Sequence, residues 1–165
     1  MSLAEKFQRL VRIIPGVAGY QDSEAARETD KAVRMKLAGK IEQIKLDLEN
    51  EKRRLMEIND LSLLPALDRI ASKLDKSANT IKYAARGFSG IFDKPGVDLN
   101  RLEKLCSFDL GLFEDADKLK ALAKSVHDSY GGSAEMKNAI GKMDGAVDEF
   151  GRKFSTRQDI LDAQG

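Results

Sequence analysis

The sequence is poor in the side chains from which metal and nucleophilic sites are built. It has one histidine, one cysteine and no tryptophan among 165 residues. A di-iron bundle needs Glu-x-x-His pairs on facing helices, and a cysteine–histidine zinc site needs several such ligands, so neither can be assembled. The sequence also lacks a glycine-rich phosphate loop and a dinucleotide-binding fingerprint. We therefore expect no metal, no cofactor and no catalytic residues, and we favour a protein that is not an enzyme.

The single histidine and the single cysteine have ordinary structural explanations. His127 lies near the end of a predicted helix, where a cation interacts favourably with the helix dipole. Cys106 lies 21 residues earlier in the same predicted helix, which is about 30 Å along its axis. The two are too far apart to act as nucleophile and base. A lone cysteine forms no internal disulfide, so we expect a reducing, cytoplasmic location.

Two further absences limit the partners. Acidic and basic residues nearly cancel, giving a formal net charge of +1, so no overall field attracts nucleic acid and none is expected as a partner. No run approaches the roughly 20 apolar residues of a membrane span. We recognise neither a signal peptide nor an anchor.

Apolar residues recur at spacings of three and four in five segments, with proline and glycine between the segments. No segment shows the two-residue alternation of a strand, so the fold class predicted is all-α. We place a short helix within residues 1–14 and long helices at about 22–59, 60–85, 98–130 and 133–165. Residues 1–165 should form one domain, an up-and-down four-helix bundle of long helices with the short N-terminal helix across one end.

The second and fifth predicted helices each carry an irregularity. The apolar stripe of the second helix comprises Val33, Leu37, Ile41, Ile44, Leu48, Leu55 and Ile58, and Glu51 interrupts it. The fifth helix contains Gly141, Gly145 and Gly151, each of which costs about 1 kcal/mol relative to alanine. We expect residues 133–165 to be the weakest element, either because these glycines permit close helix approach or because the helix frays.

A cationic stripe follows the third predicted helix. Arg69, Lys73 and Lys76 share one face, and Lys82 extends the positive charge toward the helix end. Such a patch can contact an anionic membrane, but in a protein with little net charge we favour ion pairs with acidic residues of facing helices.

The connection between the third and fourth helices contains apolar residues that a simple linker does not need. Phe88, Ile91 and Phe92 lie between glycines in residues 87–96. They either close the end of the bundle or anchor a partner, with Arg86 and Asp93 fixing its orientation, because aromatic and arginine side chains dominate binding hot spots. In an alternating bundle the end of the third helix meets the start of the second. The candidate binding residues are therefore Tyr20, Arg27, Asp30, Tyr83, Arg86, Phe88, Phe92 and Asp93.

Two sequence patterns lie at this predicted end of the bundle. Gly19-Tyr20-x3-Glu24-x2-Arg27-x-Thr29-Asp30-Lys31, with Tyr83-x3-Gly87-Phe88-Ser89-Gly90-x-Phe92-Asp93, resembles a group of bacterial helical-bundle proteins of unknown function. The resemblance covers approximately residues 1–125 and leaves the fifth helix outside. It implies a bacterial cytoplasmic protein, and it transfers no activity, cofactor or catalytic residue.

These observations favour a non-enzymatic protein–protein interaction or scaffold module with an unknown protein partner. The first alternative is a peripheral protein of anionic membranes that uses the cationic stripe and the amphipathic first helix. The second is a small-molecule binder or enzyme with a site at the bundle end. A homodimer through the second and fifth helices is compatible with all three.

Overall fold

The computed structural model describes residues 1–17, 19, 23–84, 99–129 and 133–162, which form five α-helices and no strand. The helices are α1 (Leu3–Ile13), α2 (Ser23–Glu57), α3 (Leu64–Tyr83), α4 (Leu99–Asp128) and α5 (Ala134–Asp162). The predicted all-α class is confirmed over these ranges. Within them, no helix combines the length and the apolar character needed to cross a membrane.

The helix contacts are compatible with a bundle. Helix α2 packs against α3 and α4, and α5 packs against the same two helices. The sequence predicts that α1 crosses one end, and the structure shows α1 packed against α4. There Lys6 pairs with Glu103 at 2.7 Å and Arg9 with Glu114 at 3.2 Å. Both ion pairs are partly exposed, so the apolar residues Leu10 and Ile14 hold α1 in place more than these charges do.

Most of the predicted apolar stripes are buried. In α2 the buried members are Val33, Leu37, Ile41, Ile44, Leu48 and Leu55, each at most 2% exposed. Ile58 was assigned to the same stripe, and this is wrong, because its side chain is 58% exposed. Helix α2 ends at Glu57, and Asn59 turns the chain with a φ of 56°. Ile58 therefore lies beyond the last residue that the helical spacing can direct toward the core.

The predicted helix starts are confirmed in part. Ser133 caps α5, because its hydroxyl accepts a hydrogen bond from the backbone N–H of Met136 at 3.0 Å. Pro65 lies in the first turn of α3, as expected. The sequence also predicts that Asp60 or Ser62 caps the start of α3, and this prediction is wrong. Helix α3 begins without a side-chain cap, and the Ser62 hydroxyl donates to Asp60 at 3.1 Å instead.

Helix α5 runs unbroken through its three glycines. Side chains added at Gly141 and Gly145 would meet nothing within 4 Å, so close helix approach does not explain these two residues. At Gly151 an added Cβ would lie 3.8 Å from the Ser77 hydroxyl, an ordinary contact.

The replacements Gly141→Ala and Gly145→Ala are expected to stabilise the protein by about 0.5–1 kcal/mol each, because alanine loses less backbone entropy in a helix. Urea denaturation followed by circular dichroism measures the gain. Gly16→Ala is the control: Gly16 has a φ of 87°, so this change should destabilise instead. A loss of stability at Gly141 or Gly145 would mean that these positions contact something beyond the described residues.

Candidate functional site

The predicted binding residues fall into two groups. Tyr20, Arg86, Phe88, Phe92 and Asp93 lie outside the described residues. Of the other three, Tyr83 is 68% exposed at the last position of α3, and Arg27 is exposed on α2. Asp30 is only 2% exposed and is therefore inside the bundle. Asp30 lies among other buried charged side chains.

Four charged side chains are buried together here: Asp30 and Arg34 of α2, Asp109 of α4 and Arg157 of α5. No side chain among them is more than 6% exposed. Their formal charges cancel as two acids and two bases. Removing a charge from water costs several kcal/mol unless partners compensate it, so the hydrogen bonds of this group decide whether it is tolerated. We call these four residues the ionic layer.

Arg157 is the centre of the ionic layer. Its Nε donates to Oδ1 of Asp109 at 2.7 Å, and its Nη2 donates to Oδ2 of the same carboxylate at 2.9 Å. This is the two-pronged geometry in which arginine binds a carboxylate most strongly. Nη2 also reaches Oδ1 of Asp30 at 2.6 Å. One side chain of α5 thus joins both α4 and α2.

Arg34 completes the ionic layer and reaches a third neighbour. Its Nε donates to Oδ2 of Asp30 at 2.9 Å, and its Nη1 donates to the carbonyl of Lys82 at 2.7 Å and that of Ile81 at 3.3 Å. These carbonyls belong to the last turn of α3, where no further helical N–H is available to them. The guanidinium supplies the missing donor and a favourable charge at the negative end of the helix dipole.

The ionic layer separates two apolar regions. A small cluster of Ala26, Leu102, Leu105 and Leu161 lies on one side, and the main core lies on the other. In α4, for example, Asp109 is one turn after Leu105 and one turn before Leu112. Because charged partners must meet across the core, this arrangement disfavours any sliding of one helix against another.

The start of α2 is fixed by a second buried polar contact. The Thr29 hydroxyl is 0% exposed, donates to the carbonyl of Gly19 at 2.7 Å and accepts from the N–H of Gly19 at 3.1 Å. Gly19 has a φ of 97°, a conformation that favours glycine. The residue that precedes Tyr20 is therefore held against α2.

Burial acts in opposite directions on the pKa values of the two central groups of the ionic layer, Asp109 and Arg157. It raises the pKa of Asp109, although Arg157 acts in the opposite direction. Burial alone would lower the pKa of Arg157, but the charge and hydrogen bonds of Asp109, with Asp30, raise it above its ordinary value. Arg157 thus stays charged, and Asp109 is the group whose protonation acid can change.

Sequence reasoning missed Arg34, Asp109 and Arg157. A signal was present, because Asp109 and Arg157 occupy positions that continue the apolar stripes of α4 and α5. A charged residue in register with an apolar stripe is either a break in the stripe or one half of a buried pair. A second charged residue of opposite sign in another stripe favours the buried pair.

The cationic stripe is largely engaged in ion pairs, as favoured from the sequence. The pairs are Arg69–Asp144 at 3.2 Å, Lys73–Asp144 and Lys73–Asp148 at 2.8 Å each, and Lys82–Glu42. The hydrogen bonds that Lys73 donates to Asp144 and Asp148 raise the pKa of Lys73. Lys76 is exposed. Because these pairs reach solvent, they contribute little stability, but they neutralise the charge that an anionic surface would need.

The end of the bundle offers little enclosed space among the described residues. A cavity of about 120 Å³ lies beside Arg157 between the last turns of α3 and α5. Ligand pockets usually measure roughly 300–1,000 Å³. Over the described ranges, no group of three or more histidine, cysteine, aspartate or glutamate side chains is placed to hold a metal ion.

The geometry of the ionic layer suits a structural role. It joins the N-terminal parts of α2 and α4 to the C-terminal parts of α3 and α5 and holds the four helices in one register. In comparisons with known proteins, no family model, no curated protein and no solved structure matches this chain.

Proposed function

We propose that this chain is a non-enzymatic interaction module of the cytoplasm, and that it binds another protein through the surface around residues 85–98. This recognition surface comprises Tyr83, residues 85–98 and Leu99. The observation that carries the proposal is the exposure of its two described members. Tyr83 is 68% exposed and Leu99 is 66% exposed, the highest values among the large apolar side chains described.

The composition between these two residues supports the same conclusion. Phe88, Ile91 and Phe92 lie between Tyr83 and Leu99 in the sequence. Buried aromatic side chains contribute most of the binding free energy in many protein interfaces. Tyr83 and Leu99, which flank this segment in the sequence, are both exposed and could take part in the same interface.

The ionic layer supplies rigidity near the helix ends that flank residues 85–98 in the sequence. Arg34 holds the last carbonyls of α3, and Arg157 holds Asp109 in the first half of α4. The end of α3 that carries Tyr83 is thus fixed before a partner arrives. Binding then costs less conformational entropy than it would for a loose surface.

The test is affinity capture from a lysate of the source cells with the wild-type protein and Tyr83→Ala. Because Tyr83 is 68% exposed, its removal should leave stability within about 0.5 kcal/mol of wild type. We expect a specific partner to be lost with Tyr83→Ala, since truncating a hot-spot residue costs about 2 kcal/mol or more, or roughly 30-fold in affinity. Met56→Ala, at a 50% exposed residue near the other end of α2, is the matched control and should retain the partner.

The double variant Phe88→Ala/Phe92→Ala separates recognition from packing. If it lowers the free energy of unfolding by the roughly 3–5 kcal/mol of a core truncation, the aromatics close the bundle and the proposal fails. A folded double variant that loses the partner supports it. A partner retained by both this variant and Tyr83→Ala would place the interaction elsewhere.

The alternatives have less support. Three of the four residues of the cationic stripe are paired with carboxylates, which leaves little charge for an anionic membrane. A small-molecule site at this end would have to extend beyond the 120 Å³ cavity. Liposome co-sedimentation at low salt tests the membrane alternative.

We further propose the up-and-down arrangement for the four long helices, and membership in the bacterial group that the motifs resemble. The ion pairs between helices support the arrangement. Along each of two helix pairs, the residue numbers of the paired side chains rise on one helix and fall on the other, so the two helices are antiparallel. The pairs are Lys45–Asp75 and Lys52–Asp68 between α2 and α3, and Asp109–Arg157 and Asp115–Lys153 between α4 and α5.

A further inference from the structure

At the other end of α2, a buried carboxylate holds an exposed imidazole. Glu51 is the residue that interrupts the apolar stripe, and its side chain is only 3% exposed. Its Oε2 lies 3.0 Å from Nδ1 of His127, whose side chain is 63% exposed. Oε1 of Glu51 lies 2.6 Å from Nη2 of Arg54, but the two atoms do not have hydrogen-bond geometry. Nη2 of Arg54 instead donates to the backbone carbonyls of His127 and Ser129. Among the described residues, the hydrogen bond that Glu51 accepts therefore comes from His127.

This contact assigns the proton on the ring. A carboxylate can only accept, and a guanidinium can only donate. Nδ1 of His127 is 3.0 Å from Glu51 and 3.5 Å from Arg54, so the shorter contact decides and Nδ1 carries the hydrogen. In the neutral ring, Nε2 is then a hydrogen-bond acceptor. A carboxylate that orients a histidine in this way is a recurring feature of functional imidazoles.

The side chain of His127 lines a groove of about 600 Å³ between α2 and α4. Asp47 and Asn50 line it from α2, and Lys120, Lys124 and His127 line it from α4. The three α4 residues follow spacings of four and three and so share one face. Asp47 is one turn before Glu51, and Lys124 is nearly one turn before His127. Asp47 and Lys124 therefore lie at the same level, one turn from the pair.

Three charged groups at the groove have partners within the protein. Asp117 accepts from Lys40 at 2.8 Å, Asp47 accepts from Gln43 at 3.3 Å, and Lys124 donates to Asp128 at 2.5 Å. Asp47 keeps a second carboxylate oxygen, and an incoming anion can share Lys124 with Asp128. The groove then presents donors on Lys120 and Lys124 and acceptors on Asp47 and on Nε2 of His127. A simple anion such as sulfate satisfies the donors but meets unfavourable lone pairs at the acceptors. An anion that carries its own O–H group satisfies both.

We propose that this groove binds inorganic phosphate, which retains a proton at neutral pH. The lysines neutralise its oxygens, and Asp47 or Nε2 of His127 accepts its P–OH hydrogen. Glu51 is a positioning residue, which keeps Nε2 as the acceptor.

The test uses the only histidine of the chain as its reporter. Inorganic phosphate and sulfate are titrated separately at fixed pH and equal ionic strength, while nitrogen-detected NMR follows both ring nitrogens of His127. The free protein should show the hydrogen on Nδ1. Phosphate should shift Nε2 saturably with a dissociation constant of about 1 mM or tighter, and sulfate should bind about tenfold more weakly or not at all.

Three variants distinguish the groups. Lys124→Gln should weaken phosphate binding by about tenfold, whereas Lys142→Gln, an exposed lysine of α5 outside the groove, should not. Asp47→Asn replaces an acceptor by a donor and should reduce the preference for phosphate over sulfate. Glu51→Gln can donate to Nδ1 and should move the ring hydrogen to Nε2, which weakens phosphate selectively.

Equal shifts with sulfate and phosphate, no saturable shift with either, or equal affinities of Lys124→Gln and Lys142→Gln would each overturn the proposal. Circular dichroism of every variant confirms that it is folded.

Discussion

Arg157→Met is expected to lower the free energy of unfolding by about 3–5 kcal/mol, the usual cost of leaving a buried charge without its partner. Methionine fills a similar volume, so the loss comes from charge and hydrogen bonding. Asp109 loses both of its hydrogen bonds at 2.7 and 2.9 Å, and Asp30 loses one at 2.6 Å. Urea denaturation at neutral pH measures this change.

Two further variants show whether burial is the cause. Arg152→Met removes an exposed arginine from the same helix and should change stability by no more than about 0.5 kcal/mol. Asp109→Leu/Arg157→Met removes a complete pair and leaves the Asp30–Arg34 pair at 2.9 Å in place. Replacing a whole buried pair by apolar residues is often close to neutral. The double variant should therefore recover to within about 1 kcal/mol of wild type.

Acid should reduce the penalty of Arg157→Met. Burial already raises the pKa of Asp109 above 3.8, and the variant removes the arginine that opposes this effect. A carboxyl group whose pKa is higher in the folded state binds its proton more tightly there, so falling pH stabilises the folded form. The difference from wild type should shrink as the pH falls below neutrality and Asp109 becomes neutral.

The wild type must be measured at each pH, because other carboxylates act in the opposite direction. A hydrogen bond from Lys73 lowers the pKa of Asp144, for example, so its contribution is lost as pH falls in both proteins. A penalty for Arg157→Met that stays constant or grows with acid would contradict the assignment of the uncompensated charge to Asp109.

The helical content and most of the core follow from the sequence, because the apolar spacing of a helix is a local property. Val33, Leu37 and Ile41 were assigned to an apolar stripe from their spacing alone, and all are at most 1% exposed. Ile58 shows the limit of this reasoning, since the spacing continues past the point where the backbone leaves the helix. Periodicity does not report the end of a helix as reliably as it reports the buried face.

The burial and pairing of the ionic-layer residues, by contrast, do not follow from local sequence spacing. Asp30 looks like an exposed binding residue in the sequence, because its neighbours Arg27 and Lys31 suggest a solvated face. Its burial depends on Arg157, 127 residues later in the chain. The partner of a buried charge is set by packing, so a single sequence can indicate candidates but cannot pair them.

Helix α2 has an arginine paired with a carboxylate near each of its ends. We expect the two arginines to differ strongly in how much they contribute to the free energy of unfolding. Arg34 donates to the last carbonyls of α3, and Arg54 donates to the last carbonyls of α4. Each arginine has a carboxylate about one turn earlier, Asp30 and Glu51 respectively. The difference is burial: the side chain of Arg34 is 6% exposed and that of Arg54 is 37% exposed.

Arg34→Met is therefore expected to cost about 3 kcal/mol, and Arg54→Met about 1 kcal/mol. In the buried case no water can replace the guanidinium at the carbonyls of Ile81 and Lys82, whereas water reaches the carbonyl of His127 in the exposed case. Urea denaturation gives both values, and hydrogen exchange of amides in the last turn of α3 should accelerate only in Arg34→Met.

The same pair of variants connects the ionic layer to the proposed recognition surface. Arg34→Met loosens the turn that carries Tyr83, so it should weaken partner capture even under conditions where the variant is folded, whereas Arg54→Met should not. Equal costs for the two arginines would show that burial does not decide their contribution. Unchanged capture by Arg34→Met, together with accelerated exchange in α3, would mean that the partner does not require a rigid helix end.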